Sequence, residues 1–197
     1  MRKIIVFNNV TLDGVLQAPG KADEDLRGEF RHGGWAVPYG AMQSPEASES
    51  MPGFRALLLG RRTYEQLYDY WPKQTNNPFT EMLNTMPKYV VSTTLQEPLP
   101  WSNSILLKGD AVALLRTLQQ QEGDDLVVMG SGQLIRSLVK HNLVDRYVLL
   151  IHPLVLGSGQ RLFGEDDKPM NLQLNSVKAT ANGVIVATYL PANPSEI

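Results

Sequence analysis

The chain has 197 residues, with 18 Lys and Arg against 20 Asp and Glu, and it contains no Cys. The net charge of −2 provides no basic field that would hold nucleic acid or an anionic membrane, and the lack of Cys excludes disulfides and thiolate chemistry. The length suits a single domain over residues 1–197, and we expect a cytoplasmic protein because no stretch approaches the length of a membrane span.

Apolar runs rich in β-branched residues predict five strands before residue 130. These runs are residues 3–10, 55–59, 88–92, 104–107 and 125–129. Segments with helical periodicity alternate with them at residues 61–70, 77–86 and 111–121, and after Gly132, where Leu134, Ile135, Leu138 and Val139 form an apolar stripe. This alternation of strands and helices predicts a parallel sheet covered by helices.

The last third of the chain predicts antiparallel strands instead. Residues 144–151, 172–178 and 184–190 are strand-like runs separated by turns, and residues 181–183 are typical of a hairpin. The Gly-rich and Pro-rich stretches between the elements are predicted to be loops. Residues 32–52 form the longest of them, and a loop of this length can cover a site.

Residues 125–138 predict a strand, a glycine turn and a helix in succession. Such a junction leaves backbone N–H groups at the positive end of the helix dipole, and neither Gly130 nor Gly132 carries a Cβ that would stop an anion. The turn therefore suits a phosphate. Many connections between a strand and a helix also turn on glycine without binding a ligand, so both interpretations stay open.

Two more predicted strands end in residues that suit a phosphate. Residues 60–63 open a helix with two guanidinium groups and a hydroxyl, and residues 92–94 supply three hydroxyls. Taken singly, the first is compatible with a solvated helical turn and the second with capping. Ligands of open α/β sheets bind at strand carboxyl ends, so the three segments together predict a cofactor with several phosphates, such as NADPH. A third glycine is missing where Ile135 stands, which excludes the Rossmann dinucleotide fingerprint.

Five motifs along the chain resemble the dihydrofolate reductase fold, at residues 10–14, 59–64, 90–93, 129–132 and 152–157. They are most similar to the branch that contains the reductase domain of bifunctional riboflavin biosynthesis enzymes and related stand-alone proteins. The resemblance spans nearly the whole chain. It implies a three-layer α/β sandwich, in which a mixed, mostly parallel sheet is flanked by helices and closed by antiparallel C-terminal strands, and it implies a homodimer.

The resemblance also implies how NADPH binds. The 2′-phosphate and pyrophosphate would meet the residues that follow Gly60, namely Arg61, Arg62 and Thr63. Ser92 and Thr93 would flank the adenosine phosphate, and Val10, Asp13 and Gly14 would lie beside the nicotinamide. The pyrophosphate would be cradled by Gly130, Ser131, Gly132, Gln133 and Leu134.

A reductase that transfers a hydride from NADPH to an imine also needs a group that donates a proton. Asp25 lies about where the resemblance places an acidic residue that binds the substrate, but acids cluster at helix starts for dipole reasons alone. Asp13 is the other candidate catalytic residue and equally suits a turn. His152, Gly157 and Arg161 are candidate substrate contacts, with a structural loop as the competing explanation.

The predicted function is an NADPH-dependent reductase that transfers a hydride to a flat pterin-like or pyrimidine-like substrate. Dihydrofolate and 5-amino-6-(5-phosphoribosylamino)uracil are examples of such substrates. The alternative is a non-catalytic nucleotide-binding or regulatory module that retains the fold. The three histidines form no His-x-x-x-His pair, so nothing supports a metal site. We expect a small-molecule substrate, and neither nucleic acid nor a membrane as a partner.

Overall fold

The computed structural model describes residues 1–50, 53, 55–164 and 169–192. Its strands are β1 (Ile4–Thr11), β2 (Ala56–Gly60), β3 (Lys88–Val91), β4 (Ser104–Leu107), β5 (Leu126–Val128), β6 (Arg146–His152), β7 (Leu172–Ala179) and β8 (Ile185–Pro191). Its α-helices are α1 (Pro45–Ser50), α2 (Arg61–Tyr70), α3 (Pro78–Thr85), α4 (Ala111–Gln120) and α5 (Gly132–Lys140). The chain divides into two compact units, Met1–Ile4 with Gly53–Leu143, and Ile5–Pro52 with Val144–Ile197.

The first unit contains four parallel strands in the order β4, β3, β2, β5. All five residues of β2 are buried, as expected for an apolar parallel strand with neighbours on both sides and helices on its faces. In the pairing of β2 with β3, Gly60 lies opposite Val91, and in the pairing with β5, Leu58 lies opposite Val128. The carboxyl ends of these three strands therefore lie side by side.

Local sequence signals account for the helices of the first unit. Asn77 caps α3 by accepting a hydrogen bond from the backbone N–H of Phe79, and Asp110 caps α4 in the same way from Val112 and Ala113. The apolar stripe predicted after Gly132 is the buried face of α5, formed by Leu134, Ile135, Leu138 and Val139. Helical periodicity thus selects the face that packs on the sheet.

The second unit contains the strands β1, β6, β8 and β7 in that order. β1 and β6 are parallel, whereas β6 with β8 and β8 with β7 are antiparallel. The predicted hairpin joins β7 to β8, with the Thr180 N–H donating to the Val184 carbonyl over 2.8 Å. The predicted α/β fold class, mostly parallel strands followed by antiparallel ones, is confirmed.

Two segments of the second unit differ from the sequence expectation. The predicted loop of residues 32–52 contains α1 and two 3-10 turns, Val37–Tyr39 and Ala41–Gln43, while its residues 51 and 52 lie outside the described part. The helix expected near Asp25 is only a 3-10 turn, Arg27–Glu29, in which Gly28 has a left-handed conformation that an α-helix cannot continue. The single domain over residues 1–197 stays a prediction. None of the described helices is long and apolar enough to cross a membrane.

Candidate functional site

The three segments that suit a phosphate lie at the ends of three neighbouring strands in the first unit. α2 begins directly after Gly60, the last residue of β2. Ser92 follows Val91, which lies opposite Gly60 in the register of β2 and β3. On the other side of β2, β5 leads into Gly130. The segments thus share one edge of the sheet, as a ligand with several phosphates requires.

The turn between β5 and α5 is held to the start of α2 by a pair of hydroxyls. Gly130 has a φ of 80° and Ser131 a φ of 62°, so two successive residues are left-handed before α5 begins. The Ser131 Oγ does not cap α5 but lies 2.9 Å from the Thr63 Oγ1. One of these hydroxyls donates to the other, so one hydroxyl proton stays available to a ligand beside the N-terminus of α5.

Gly60 is required by close packing rather than by its backbone conformation. A Cβ at this position would lie 2.3 Å from the Ser131 Oγ and 2.8 Å from the Ser131 Cβ. No side chain fits at that distance, so only glycine lets the end of β2 approach the turn after β5. This close approach of β2 to the turn after β5 also brings Thr63 within hydrogen-bond distance of Ser131.

The two arginines of this edge differ in their partners. Arg61 Nη1 lies 3.4 Å from a carboxylate oxygen of Glu65, four residues later on α2, and both side chains are a little under half exposed. Arg62 is exposed and makes no hydrogen bond or ion pair with any other residue in the described ranges. Its guanidinium can therefore bind a phosphate without breaking an existing contact.

The hydroxyls after β3 are not equivalent either. The Ser92 Oγ accepts hydrogen bonds from the backbone N–H groups of Thr94 and Leu95, each over 3.1 Å. Ser92 is buried and caps its own turn, which is the capping role that the sequence left open. Thr93 and Thr94 are both exposed, so their hydroxyls are the accessible ones at this strand end.

The remaining residues predicted to bind the cofactor lie in different environments. Gly132 and the exposed Gln133 form the first turn of α5, and Leu134 packs into the buried face of that helix. In the second unit, Val10 is buried in β1, and Gly14 has a φ of 79° in the loop that follows this strand.

Asp13, in the second unit, is held by several donors. Its carboxylate accepts hydrogen bonds from the Thr11 hydroxyl over 2.6 Å and from the backbone N–H groups of Gly157 and Leu156 over 2.9 and 3.2 Å. Arg161 lies 3.6 Å from it and donates its Nε–H to the Asp13 carbonyl. The Thr11 hydrogen bond is the main cause of a lowered pKa of Asp13. A carboxylate held in this way clamps two loops together and is a poor proton donor.

Gln17 is a second clamp, and sequence reasoning missed it. Its buried side chain donates from Nε2 to the carbonyl oxygens of Asp25 and Arg27, over 3.1 and 2.9 Å, and accepts from the backbone N–H of Gln160 over 2.9 Å. Its own carbonyl accepts from the Trp35 indole over 2.8 Å. A lone Gln in a loop carries no local signal of such a role, because the partners are distant in sequence.

Two neighbouring acids of the second unit have different surroundings. Asp25 forms an ion pair with Arg27, and this hydrogen bond raises the pKa of the Arg27 guanidinium. Glu24 accepts hydrogen bonds from the backbone N–H groups of Gly20 and Lys21, but burial dominates and raises the pKa of its carboxyl. Of the two acids, Glu24 is therefore the one whose environment favours keeping a proton.

His152 ends β6 and is fully buried. Its Nε2 lies 2.9 Å from the Asn9 Oδ1 on the adjacent strand β1. Burial lowers the pKa of His152 to about 4, so the imidazole is neutral at physiological pH. His152, Gly157 and Arg161 thus belong to one segment of the second unit, with Gly157 and Arg161 bound to Asp13 and His152 bound to Asn9.

Comparisons with known proteins agree with this architecture. The family model of the RibD C-terminal domain matches residues 2–186. The Bacillus subtilis protein YyaP, described as uncharacterized, is 26% identical over 195 residues, which are 95% of this chain and 94% of YyaP. A structure from Shewanella sp. PV-4, named for riboflavin biosynthesis, superposes with a TM-score of 0.68 at 22% identity and covers 97% of this chain and 99% of its own.

Dihydrofolate reductase from Enterococcus faecalis, solved in complex with NADP(H), is a more distant structural neighbour. It has a TM-score of 0.55 at 13% identity and covers 97% of both chains. At such low identity the likeness concerns the fold. The dihydrofolate reductase-like fold and the riboflavin-type resemblance predicted from the motifs are therefore confirmed.

Proposed function

The chain belongs to the RibD C-terminal domain family, and on that premise we propose that it is an NADPH-dependent reductase. Its substrate in this proposal is a flat pterin-like or pyrimidine-like molecule, such as dihydrofolate or 5-amino-6-(5-phosphoribosylamino)uracil. One observation carries the proposal. Residues 60–63, 92–93 and 130–134 meet at the carboxyl ends of β2, β3 and β5, where a cofactor with several phosphates finds guanidinium, hydroxyl and N–H donors together.

The proposal assigns roles to four of these donor groups, Arg62, Thr63, Ser131 and the N-terminus of α5. Arg62 binds the 2′-phosphate, because it has no competing partner in the described ranges, whereas Arg61 is already near Glu65. The hydroxyl pair of Thr63 and Ser131 and the N-terminus of α5 hold the pyrophosphate. When bound, NADPH supplies the hydride. The family resemblance assigns Val10 and Gly14 to its nicotinamide.

Calorimetric titration with NADPH, and with NADH for comparison, tests the cofactor assignment. A charge-assisted hydrogen bond contributes about 1.5–3 kcal/mol, so Arg62→Ala is expected to weaken NADPH binding roughly 10- to 100-fold. NADH binding should change by no more than about twofold, since NADH lacks the 2′-phosphate. Arg116, an exposed arginine on α4, is the matched control, and Arg116→Ala should change neither affinity. No detectable binding of NADPH to the wild type in the micromolar range would refute the assignment.

One observation favours a second function, a nucleotide-binding module without turnover. Asp13 is held as a carboxylate and Asp25 is engaged with Arg27, so neither acid offers a free proton for reduction. NADPH oxidation in the presence of dihydrofolate or the aminopyrimidine distinguishes the two functions. Tight NADPH binding without oxidation in either case supports the module. If turnover occurs, Glu24→Gln and Asp25→Asn identify the proton source, and unchanged rates in both would exclude these acids.

We also propose a cytoplasmic location and a homodimer. The lack of Cys agrees with a reducing compartment, and the homodimer follows from the family resemblance alone. Light scattering on the purified protein measures the oligomeric state directly, and a monomer at micromolar concentration would refute the dimer.

A further inference from the structure

His152 has one ring nitrogen with a partner and one without. The Asn9 Oδ1 lies 2.9 Å from Nε2, and an amide oxygen only accepts, so Nε2 carries the proton. In the neutral ring, Nδ1 is then an acceptor. Nδ1 is buried and has no hydrogen-bond partner among the described residues. Buried polar atoms in native proteins are nearly always paired, so this nitrogen suits a donor that a ligand supplies.

His141 provides an internal contrast. Its Nδ1 lies 2.8 Å from the carbonyl oxygen of Ser137, and a carbonyl also only accepts. In neutral His141 the proton is therefore on Nδ1, the reverse of His152. The third histidine, His32, is exposed, so the three rings occupy three different environments.

Two aromatic rings cover the His152 imidazole at right angles. The Trp35 ring lies 5.1 Å from it and the Tyr39 ring 5.0 Å, measured between ring centroids. Trp35 is buried, and its indole N–H is bound to the carbonyl of Gln17. Tyr39 is only partly buried and lies on the short 3-10 turn Val37–Tyr39. The Tyr39 backbone is held, because its N–H donates to the Ala36 carbonyl over 3.2 Å and its carbonyl accepts from Asn182 Nδ2 over 2.9 Å. A ligand would therefore reach the imidazole by rotation of the Tyr39 side chain rather than by movement of this turn.

We propose that His152 Nδ1 accepts a hydrogen bond from an N–H group of a flat heterocyclic substrate. In this arrangement Asn9 positions the imidazole and selects its tautomer, and the substrate ring takes the place of the Tyr39 ring beside His152. The inference rests on the proposed function for the class of substrate, and it adds that the substrate must present an N–H donor. A site with a buried acceptor discriminates strongly against an analogue that lacks the donor, because the acceptor is then left unpaired.

Nitrogen NMR on protein labelled with ¹⁵N-histidine tests this directly, since the chain has only three histidines. The variants His32→Gln and His141→Gln assign the signals. Uracil, with two ring N–H groups, and 1,3-dimethyluracil, with none, serve as matched probes at millimolar concentration, with and without NADPH. We expect His152 to be in the Nε2–H form. Its Nδ1 signal should shift upfield with uracil and should not shift with 1,3-dimethyluracil. His141 should show the Nδ1–H form and respond to neither probe.

Three results would overturn the inference: a proton on Nδ1 of His152 in the free protein, equal shifts with both probes, or no shift with either. Asn9→Leu is expected to mix the two tautomers of His152 and to weaken uracil binding at least about tenfold, with NADPH affinity unchanged and circular dichroism confirming the fold. Unchanged uracil binding in that variant refutes the positioning role of Asn9. If NADPH binds but the His152 Nδ1 signal does not respond to uracil, this inference alone is rejected. If the signal responds to uracil but NADPH does not bind, the proposed cofactor alone is rejected.

Discussion

Gly60→Ala adds one carbon where the end of β2 meets the turn between β5 and α5. The new Cβ would lie 2.3 Å from the Ser131 Oγ and 2.8 Å from the Ser131 Cβ. The backbone of Gly60, with φ −82° and ψ 161°, is one that alanine adopts readily, so the whole effect is steric. Ser131 must move, and its hydroxyl then loses the 2.9 Å contact with Thr63.

The expected loss of stability follows from the general cost of adding one carbon to a packed region. Inserting one carbon into a well-packed region costs about 1–3 kcal/mol of unfolding free energy. In a chain of this length each kcal/mol lowers the melting temperature by about 2–4 °C, so we expect a decrease of roughly 2–12 °C. Moving the Ser131 hydroxyl away from a bound phosphate removes about 1.5 kcal/mol of binding free energy, and NADPH affinity should fall roughly tenfold.

Thermal unfolding and calorimetric NADPH titration measure both effects. Gly53→Ala, in the same unit, is the matched control, because a Cβ at Gly53 meets no atom of the described residues within 4 Å. A second control, Ser131→Gly, removes both atoms that the new Cβ would contact. In the Ser131→Gly background, Gly60→Ala should leave the unfolding free energy almost unchanged, since the next atom, the Leu134 Cβ, lies 3.8 Å from the new Cβ. The steric reasoning is refuted if Gly60→Ala behaves like Gly53→Ala, or if its cost persists beside Ser131→Gly.

Three further substitutions test hydrogen-bonded polar groups by chemical unfolding, the buried Lys88 and Gln17 and the partly buried Asp13. Burial lowers the pKa of Lys88 to about 8 from 10.5, so between these pH values the folded state binds fewer protons than the unfolded state. Stability should rise with pH across that range in the wild type and rise less in Lys88→Met. Asp13→Asn should cost about 1.5–3 kcal/mol at neutral pH. Because the folded-state pKa of Asp13 is lowered, the difference in unfolding free energy between Asp13→Asn and the wild type should vanish as pH falls through that pKa. A difference that stays constant with pH contradicts the role of Asp13 as a clamp. Gln17→Met keeps the side-chain volume but leaves the Gln160 N–H unpaired, so we expect the unfolding free energy to fall by about 1–3 kcal/mol. A variant as stable as the wild type would disprove that contribution.

Most of the fold was predictable because its signals are local. The buried apolar run of β2, the stripe on α5 and the hairpin between β7 and β8 each depend on residues close in sequence. The same is true of the phosphate-suited edge, since strand ends, glycines and charged residues can be recognised within short segments. Their convergence followed from one general rule, that parallel strands bring their carboxyl ends to the same edge.

The second unit was harder to predict, because its contacts join distant segments. Residues 32–52 have no extended periodicity, so α1 and the neighbouring 3-10 turns were not visible in the sequence. Asp25 was expected at the start of a helix, but it precedes only a 3-10 turn that contains the left-handed Gly28, and Arg27 pairs with the carboxylate. Gln17 is a polar residue that the sequence marks as exposed by type alone, yet it is buried with hydrogen-bonded partners, and the same is true of Lys88 in the first unit.

The sequence by itself determined the order of the strands and of the helices α2 to α5, the family and the three segments suited to phosphate. These properties depend on side-chain periodicity and on motifs of a few residues, which do not require knowledge of distant contacts. Only the tertiary structure decided that Gly60 must lack a Cβ because Ser131 is adjacent, and that Asn9 pairs with His152, 143 residues later. A hydrogen-bond partner or a steric neighbour at such separation is selected by the pairing of β1 with β6 or of β2 with β5, and no short segment encodes that pairing.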